Sequence, residues 1–311
     1  MSIMSFQTHA ARPAGKPSID ARRFQRRAGY RLAAPAAALL LLLLVVPSGL
    51  VLLLSLTDYT LGMDRPSFIG FANYSEMWAD SDLVRSFANT LVYVILVVPL
   101  SIALGLLTAL LIEGRTRLKA FYRTVYFLPV TGTLVALATA WEVMLHPTLG
   151  LFNAVFGLLG LGRVGFLSDP DLALLTLSAI GIWQLVGFNM VLFLAGLSTI
   201  PKDLYDAASI DGADGGAGRF LLVTWPMLGP VTLFVTVMTV IRAFSVFETV
   251  SVLTDGGPLG STDVLLFTLF EQAFRYFRIG YASAIAVVFL VLVGVLALLQ
   301  ARAMDRRTHY V

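Results

Sequence analysis

The chain has 311 residues, of which 58% are hydrophobic and 13% are charged, and its formal net charge is +3. This composition favours a polytopic membrane protein over a soluble domain. The sequence contains no cysteine, which excludes disulfides, thiolate metal sites and cysteine nucleophiles. Its three histidines, His9, His146 and His309, are too scattered to suggest a metal site.

Six apolar segments of about 20 or more residues are long enough to cross a bilayer as helices. They are residues 33–56, 90–112, 124–143, 172–197, 229–253 and 279–301. The first exceeds the roughly 7–15 residues of a signal-peptide core, so we interpret it as a retained anchor. The sequence therefore predicts an all-α fold with a basic, disordered leader (1–30) and a six-span transmembrane domain (31–311).

Basic residues alternate between the loops and so predict the orientation of the spans. The leader, the loop after the second span and the tail after the sixth span are rich in Lys and Arg, whereas the intervening loops are poor in both. Because basic loops stay in the cytoplasm, both termini are expected there. The parity of the crossings then places the loop between spans four and five in the cytoplasm as well.

A polar segment, residues 198–226, separates the fourth and fifth apolar spans. Ser198 or Thr199 can cap a short helix, and Pro201 is tolerated in the first turn, where its missing N–H would be unpaired anyway. The helix is expected to end one or two residues before Gly212, which can adopt the left-handed conformation of a C-cap.

The short helix has one face of small apolar residues. Leu204, Ala207 and Ala208 follow one another at spacings of three and four, which places them on one side, with Asp206 beside them. Such a face can dock a partner. The alternative is a surface helix that rests on the membrane or on neighbouring spans.

The run from Tyr205 to Ala213, followed by Phe220 and by Val223-Thr-Trp-Pro226, resembles the "EAA" loop of permease subunits in binding-protein-dependent ABC importers. Asp206 replaces the usual Glu of that motif, and the distance from Gly212 to Pro226 is one residue longer than in the common pattern. The resemblance covers most of the chain after the leader, and several segments are typical of the carbohydrate branch with the maltose and glycerol-phosphate permeases. The further segments are 68–74, 123–129, 181–184, 187–190, 194–197, 253–258 and 280–286.

The resemblance implies the type I ABC importer permease fold in a bacterial inner membrane, with the EAA-like loop as a coupling helix that sits in a cleft of an ATPase subunit. It implies three kinds of partner: an ATPase dimer, a second, homologous permease in a heterodimer, and an extracytoplasmic solute-binding protein. The residues that it assigns to ATPase coupling are Tyr205, Asp206, Ala207, Ala208, Asp211 and Gly212.

No nucleotide-binding motif is present, because Gly15-Lys16 is followed by Pro17 and no G-x-x-x-x-G-K-[ST] loop occurs. We therefore expect this chain to bind no cofactor, with ATP and Mg on the partner ATPase. No paired catalytic groups or metal ligands are evident, so the chain is not predicted to be an enzyme. Its basic loop borders two spans and is interpreted as orientation and lipid-surface charge rather than a nucleic-acid site.

Polar residues within apolar spans usually face a cavity or a partner. Arg242 and Ser245 share a helix face, whereas Glu248 lies about 120° round a continuous helix, so the two charges are not expected to pair. Resemblance to maltose-type permeases places residues 242–246 along the sugar path. The predicted substrate path comprises Asn189, Arg242, Phe244, Ser245 and Glu248. The alternative is that these residues form interhelical hydrogen bonds or a buried ion pair between subunits.

The predicted function is that of a permease subunit of an ATP-driven importer for a sugar or a sugar-like solute. A secondary transporter or a channel for a small polar solute is the alternative, since it too would have six spans and buried polar residues. Neither of those classes requires an EAA-like loop. Flux by this chain alone, without ATP, would support them.

Overall fold

A computed structural model of the protein describes residues 19–114, 118–213 and 215–307. Within these residues the regular elements are helices, and one isolated antiparallel bridge joins Thr57 and Phe68. The chain divides into two compact units, one ending at Val51 and the other starting at Leu52.

The first unit is helical from its first described residue. Helix α1 (Ile19–Leu40) continues through a π turn (Leu41–Val45) into α2 (Val46–Leu54). The apolar part, Tyr30–Leu54, is long enough to span a membrane. The expected disorder of the leader is therefore wrong for residues 19–30, which are helical, while residues 1–18 lie outside the described residues.

The second unit contains the remaining helices. They are α3 (Ala72–Ala79), α4 (Ser81–Glu113), α5 (Lys119–Thr131), α6 (Leu134–Leu145), α7 (Leu151–Leu158), α8 (Pro170–Ser198), α9 (Lys202–Ile210), α10 (Gly216–Arg219), α11 (Trp225–Met227), α12 (Gly229–Phe244), α13 (Glu248–Leu253), α14 (Leu265–Phe270) and α15 (Ile279–Arg307). Further π turns lie at Phe220–Thr224 and Glu271–Arg275.

Among the described residues, five helical stretches are long and apolar enough to cross a membrane, and the number rises to six if α5 and α6 count as one span. The predicted third span, residues 124–143, is not straight, because α5 and α6 meet at an angle of 98°. Gly132 and Thr133 are extended at the break. A Cβ on Gly132 would lie 3.1 Å from the side chain of Leu137, so a small residue suits this tight corner.

Glycines permit close helix contacts at the centre of the second unit. Helix α8 packs extensively against α4 and also against α5 and α12. A Cβ on Gly187 would overlap the carbonyl oxygen of Tyr126, and one on Gly181 would overlap the hydroxyl of Tyr93. Small residues at such crossings let helix backbones approach within a membrane, where packing rather than the hydrophobic effect drives association.

Acidic caps fix the first turns of the long helices α4 and α8. The Asp80 carboxylate accepts hydrogen bonds from the backbone N–H groups of Asp82 and Leu83 at 3.0 and 3.2 Å. The Asp169 carboxylate accepts one from the N–H of Asp171 at 2.9 Å, directly before Pro170 in the first position of α8. These caps satisfy N–H groups that have no partner within the helix.

Candidate functional site

Helix α9 lies between the fourth and fifth spans, where the sequence predicts a short helix. It starts at Lys202, directly after Pro201, and ends at Ile210. The prediction that Ser198 or Thr199 caps this helix is wrong. Their hydroxyls instead donate to the carbonyl oxygens of residues 195 and 196 at 2.7 Å, and so satisfy acceptors at the end of α8.

Gly212 has the left-handed backbone that the sequence predicts, with a φ of +87°. Its N–H donates to the carbonyl of Ser209 at 3.2 Å, and the N–H of Ala213 donates to that of Ala208 at 2.9 Å. No atom lies within 4 Å of the place where a Cβ on Gly212 would stand. The demand for glycine therefore comes from the backbone conformation and not from crowding.

The three residues of the predicted apolar face of α9 differ in burial: one is buried in the protein and two are exposed. Ala208 is buried in an apolar cluster that includes Leu197, Ala213 and Val223. Leu204 and Ala207 remain exposed, and Ala207 points about 100° away from its neighbour Ala208. The expectation of one docking face for all three is wrong for Ala208.

The exposed surface of α9 is both acidic and apolar. Asp206 and Asp211 are exposed, and within the described part of the chain neither makes a side-chain hydrogen bond or an ion pair. Ile210, absent from the predicted site, is 87% exposed and gives this surface its largest apolar side chain. An apolar residue in the last turn of a polar helix is the sequence signal that could have identified it.

A π turn follows α9 and leads towards the fifth span. At Phe220–Thr224 the N–H of Trp225 donates to the carbonyl of Phe220, five residues earlier. A π turn takes up one residue more than an α turn. The extra residue between Gly212 and Pro226 can therefore be accommodated without breaking the helix.

A polar cavity of about 210 Å³ lies among α4, α6, α8 and the junction of α12 with α13. Arg242 is exposed there, with its guanidinium carbon 4.1 Å from the ring centroid of Phe188. The cavity is lined by Tyr93, Leu134, Gly181, Gln184, Leu185, Arg242, Ser245, Val246, Glu248 and Thr249.

A break in the fifth span brings Glu248 to this cavity. Helix α12 ends at Phe244, α13 begins at Glu248, and Phe247 between them has a non-helical φ of −148°. The expected angle of about 120° between Glu248 and Arg242 assumes a continuous helix, which this break interrupts. Glu248 and Arg242 line the same cavity, although no ion pair joins them in the described structure.

Two residues of the predicted path lie elsewhere. Asn189 is fully buried; its amide nitrogen donates to the Ser101 hydroxyl at 3.3 Å, and its oxygen accepts from the Thr239 hydroxyl at 2.8 Å. Phe244 is 4% exposed and lines none of the cavity. For Asn189 the structure therefore favours the alternative of interhelical hydrogen bonds. Gln184, absent from the predicted path, was detectable as an amide within an apolar span.

A second polar cavity, of about 290 Å³, lies on the loop between α13 and α15, where four acids converge. We call Asp82, Asp255, Asp263 and Glu271 the acidic pocket. Burial, followed by the nearby Glu271, raises the pKa of Asp263 to about 6. Within the described residues, no group of three or more His, Cys, Asp or Glu side chains could hold a metal ion.

The model of a protein family described as "Binding-protein-dependent transport system inner membrane component" matches residues 77–310. A probable ABC transporter permease, YesP of Bacillus subtilis (strain 168), is 36% identical over 91% of this chain and 92% of its own length. The sn-glycerol-3-phosphate transport system permease UgpA of Agrobacterium fabrum is 31% identical over 90% of this chain and 96% of its own length. The lactose transport system permease LacF of Rhizobium radiobacter is 32% identical over 90% of this chain and 94% of its own length.

The fold is also similar to that of a solved structure. A chain in the crystal structure of a bacterial alginate ABC transporter, in complex with an alginate pentasaccharide-bound periplasmic protein, superposes with a TM-score of 0.82. The match covers 93% of this chain and 98% of that one at 22% identity, which supports a common fold. With the family match and the full-length relatives, the conclusion is plain: the chain belongs to the inner-membrane permease family of binding-protein-dependent transport systems.

Proposed function

We propose that this protein is one permease subunit of an ATP-driven importer and that its solute is a sugar or a sugar derivative. The observation that carries the proposal is the polar cavity among the spans, which combines donors and acceptors suited to hydroxyl groups. Relatives named for glycerol-3-phosphate and lactose transport support this class of solute.

The cavity offers several kinds of polar contact. Arg242 has only donors, Glu248 has only acceptors when ionised, and Gln184 and Ser245 supply both. Its volume of about 210 Å³ is below the roughly 300–1,000 Å³ of typical ligand sites. This difference supports a translocation path completed by a second, homologous permease in a heterodimer.

The exposed part of α9 is the proposed contact with the ATPase dimer. Asp206 and Asp211 offer charges to basic side chains of a partner, and Leu204, Ala207 and Ile210 offer an apolar contact between them. In this mechanism ATP and Mg bind to the ATPase, whose closure moves α9. The spans then open towards an extracytoplasmic solute-binding protein, and no covalent chemistry takes place on this chain.

The proposed orientation follows from the basic loops, with both termini and α9 in the cytoplasm. Because the natural chain has no cysteine, a single Ile210→Cys variant can report the side of α9. A membrane-impermeant maleimide is expected to label it only after the cells are opened. Labelling in intact cells would contradict this orientation.

The function itself is tested by isolation and reconstitution. The tagged chain is expected to co-purify with an ATPase, a second permease and, on solute addition, a solute-binding protein. Proteoliposomes of that complex should accumulate the solute only with ATP on the ATPase side. Equal accumulation by this chain alone, without ATP, would overturn the proposal in favour of a carrier or a channel.

A further inference from the structure

Tyr205 contacts the segment that leads into the fifth span through both parts of its side chain. Its ring lies 4.1 Å from the guanidinium carbon of Arg219, measured to the ring centroid. Its hydroxyl lies 3.3 Å from the hydroxyl of Thr224, a residue that is only 5% exposed. A cation–π contact and a hydrogen bond therefore join α9 to two points of one later helix.

The π turn explains how both residues reach the same ring. Arg219 and Thr224 are five residues apart, which on an α-helix would place them about 140° apart around the axis. In a π turn, hydrogen bonds join residues five apart, so such residues lie above one another. Phe220 and Trp225, also five apart, have ring centroids at 5.9 Å, as this geometry requires.

Beyond Thr224 the chain passes through α11 and a turn at Leu228 into α12, and two backbone hydrogen bonds bridge this junction. The carbonyl of Thr224 accepts from the N–H of Leu228 at 2.9 Å, and the carbonyl of Leu228 accepts from the N–H of Thr232 at 2.8 Å. From there α12 runs to the cavity residue Arg242. A force on α9 that passes through Tyr205 can thus reach one wall of the cavity along two helices whose junction is bridged by backbone hydrogen bonds.

We propose that Tyr205, Arg219 and Thr224, which we call the loop clamp, are positioning residues that fix α9 to the fifth span and so transmit its movement to the cavity. The proposal rests on the proposed function, since α9 must be driven by an ATPase for the clamp to transmit anything. Arg219 and Thr224 thereby gain a role in coupling, although neither lies on the exposed surface of α9.

Apolar packing limits how much the clamp can contribute. Ala208 and Ala213 are buried in a cluster with Val223 and Leu228, and this contact remains when the clamp is removed. Loss of the clamp should therefore loosen the coupling without detaching α9. We expect a decrease of roughly 2- to 5-fold in solute transported per ATP hydrolysed, the change that corresponds to losing one exposed cation–π contact.

The functional test compares Arg219→Gln with Arg219→Lys in the complete reconstituted complex. Glutamine removes the cation, whereas lysine keeps it and should restore most of the transport per ATP. Tyr205→Leu should give at least the loss of Arg219→Gln, because it also removes the hydrogen bond to Thr224, and the double variant should lose little more than Tyr205→Leu alone. Arg302→Gln is the matched control, because it removes an exposed positive charge near the end of α15.

A structural readout separates failure of the clamp from failure of the proposed function. Spin labels on Ile210→Cys and Leu222→Cys, both exposed sites in a cysteine-free chain, report the distance between α9 and the π turn. In the full-length permease this distance distribution should broaden when Arg219→Gln is added. It should stay narrow with Arg219→Lys or Arg302→Gln.

Two results would overturn the clamp. One is a distance distribution that Arg219→Gln and Tyr205→Leu both leave unchanged. The other is transport per ATP that falls equally in Arg219→Gln and Arg302→Gln, which would make the effect one of loop charge. If the wild-type complex shows no ATP-driven uptake, the proposed function fails, while the spin-label result still decides whether the clamp exists.

Discussion

The side-chain oxygen of Asn189 in α8 accepts a hydrogen bond of 2.8 Å from the hydroxyl of Thr239 in α12, and both residues are fully buried. The same amide donates to Ser101 in α4. Three spans that are distant in sequence therefore meet at one satisfied polar group. In the hydrocarbon region the alternative to such a contact is an unpaired polar atom, which is costly.

This contact predicts that Asn189→Ala destabilises the protein without weakening solute recognition. Loss of two interhelical hydrogen bonds at about 0.6 kcal/mol each should lower the free energy of unfolding by about 1 kcal/mol. Thr239→Val, which removes one bond, should cost about half as much. Unfolding in detergent and the half-saturation concentration for uptake are the measurements. Unchanged stability together with a large rise in the half-saturation concentration would contradict this prediction and support a role for Asn189 in the substrate path.

Arg242 is predicted to contribute directly to solute recognition. Because Arg242 lines the cavity, Arg242→Gln should raise the half-saturation concentration for uptake roughly tenfold or more, the effect of losing a charged hydrogen bond. Phe244→Leu is the control, since the sequence assigns it to the path and the structure buries it away from the cavity. Equal effects of the two substitutions on half-saturation would contradict the assignment of the cavity.

Gly212 is predicted to be required for its backbone conformation. Its φ of +87° costs a residue with a Cβ about 1–2 kcal/mol, although space for a side chain is available. Gly212→Val should therefore reduce the stimulation of ATPase activity by solute-loaded binding protein in the assembled complex. Gly212→Asn should reduce it less, because Asn tolerates left-handed backbone better. Full stimulation in the valine variant would refute a coupling role for this loop.

The contact between α5 and α8 is predicted to be intolerant of added volume. Gly187→Ala would place a methyl group against the carbonyl oxygen of Tyr126, so overpacking should lower stability by about 1–3 kcal/mol. Gly157→Ala in α7 is the matched control, because nothing lies within 4 Å of its Cβ position. Thermal unfolding of the two variants in the same detergent tests the difference, and equal midpoints would contradict this packing.

The raised pKa of Asp263 predicts that the stability of the segment between α13 and α15 depends on pH. Burial and Glu271 raise its pKa to about 6, with smaller contributions from Asp82 and Asp255 in the same direction, and Arg85 opposes them. The folded state therefore binds a proton more readily than the unfolded chain, whose Asp titrates near pH 4. Stability should rise as pH falls from about 7 to 4, because the folded loop no longer carries a poorly solvated charge.

Asp263→Asn imitates the protonated acid and should remove this dependence. At pH 7 it should stabilise the loop by on the order of 1 kcal/mol, a value reduced by solvent screening at a partly exposed site. Hydrogen exchange of residues 254–278 between pH 5 and pH 8 is the measurement, with Asp64→Asn, an exposed acid outside the acidic pocket, as the control. An identical pH dependence in wild type and Asp263→Asn would refute the prediction.

Hydropathy predicts which segments are helical, but it does not predict where a span bends. An apolar segment of sufficient length must hide its backbone polar groups in a helix, so five long spans and the short helix α9 follow from local pattern. The break between α5 and α6 does not follow, since Gly132 and Thr133 look like ordinary members of an apolar run. Their backbone is extended, and a Cβ on Gly132 would lie 3.1 Å from the side chain of Leu137, a proximity that a linear pattern does not contain.

The candidate sites divide in the same way. Gly212 was predictable because a helix C-cap is a local backbone problem. The placement of Asn189 was not, because its partners lie 88 and 50 residues away along the chain. The angle between Arg242 and Glu248 could not be predicted, because the helix breaks between them and the sequence marks that break with no proline or glycine.

By itself, the sequence determined the class of protein, its spans and the loop that resembles a coupling motif. These properties rest on composition and on spacing within single helices. Only the tertiary structure decided which polar residues share the cavity, which face of α9 stays exposed and which residues Tyr205 contacts. Those outcomes depend on side-chain directions across breaks and π turns, and a one-dimensional pattern does not carry that information.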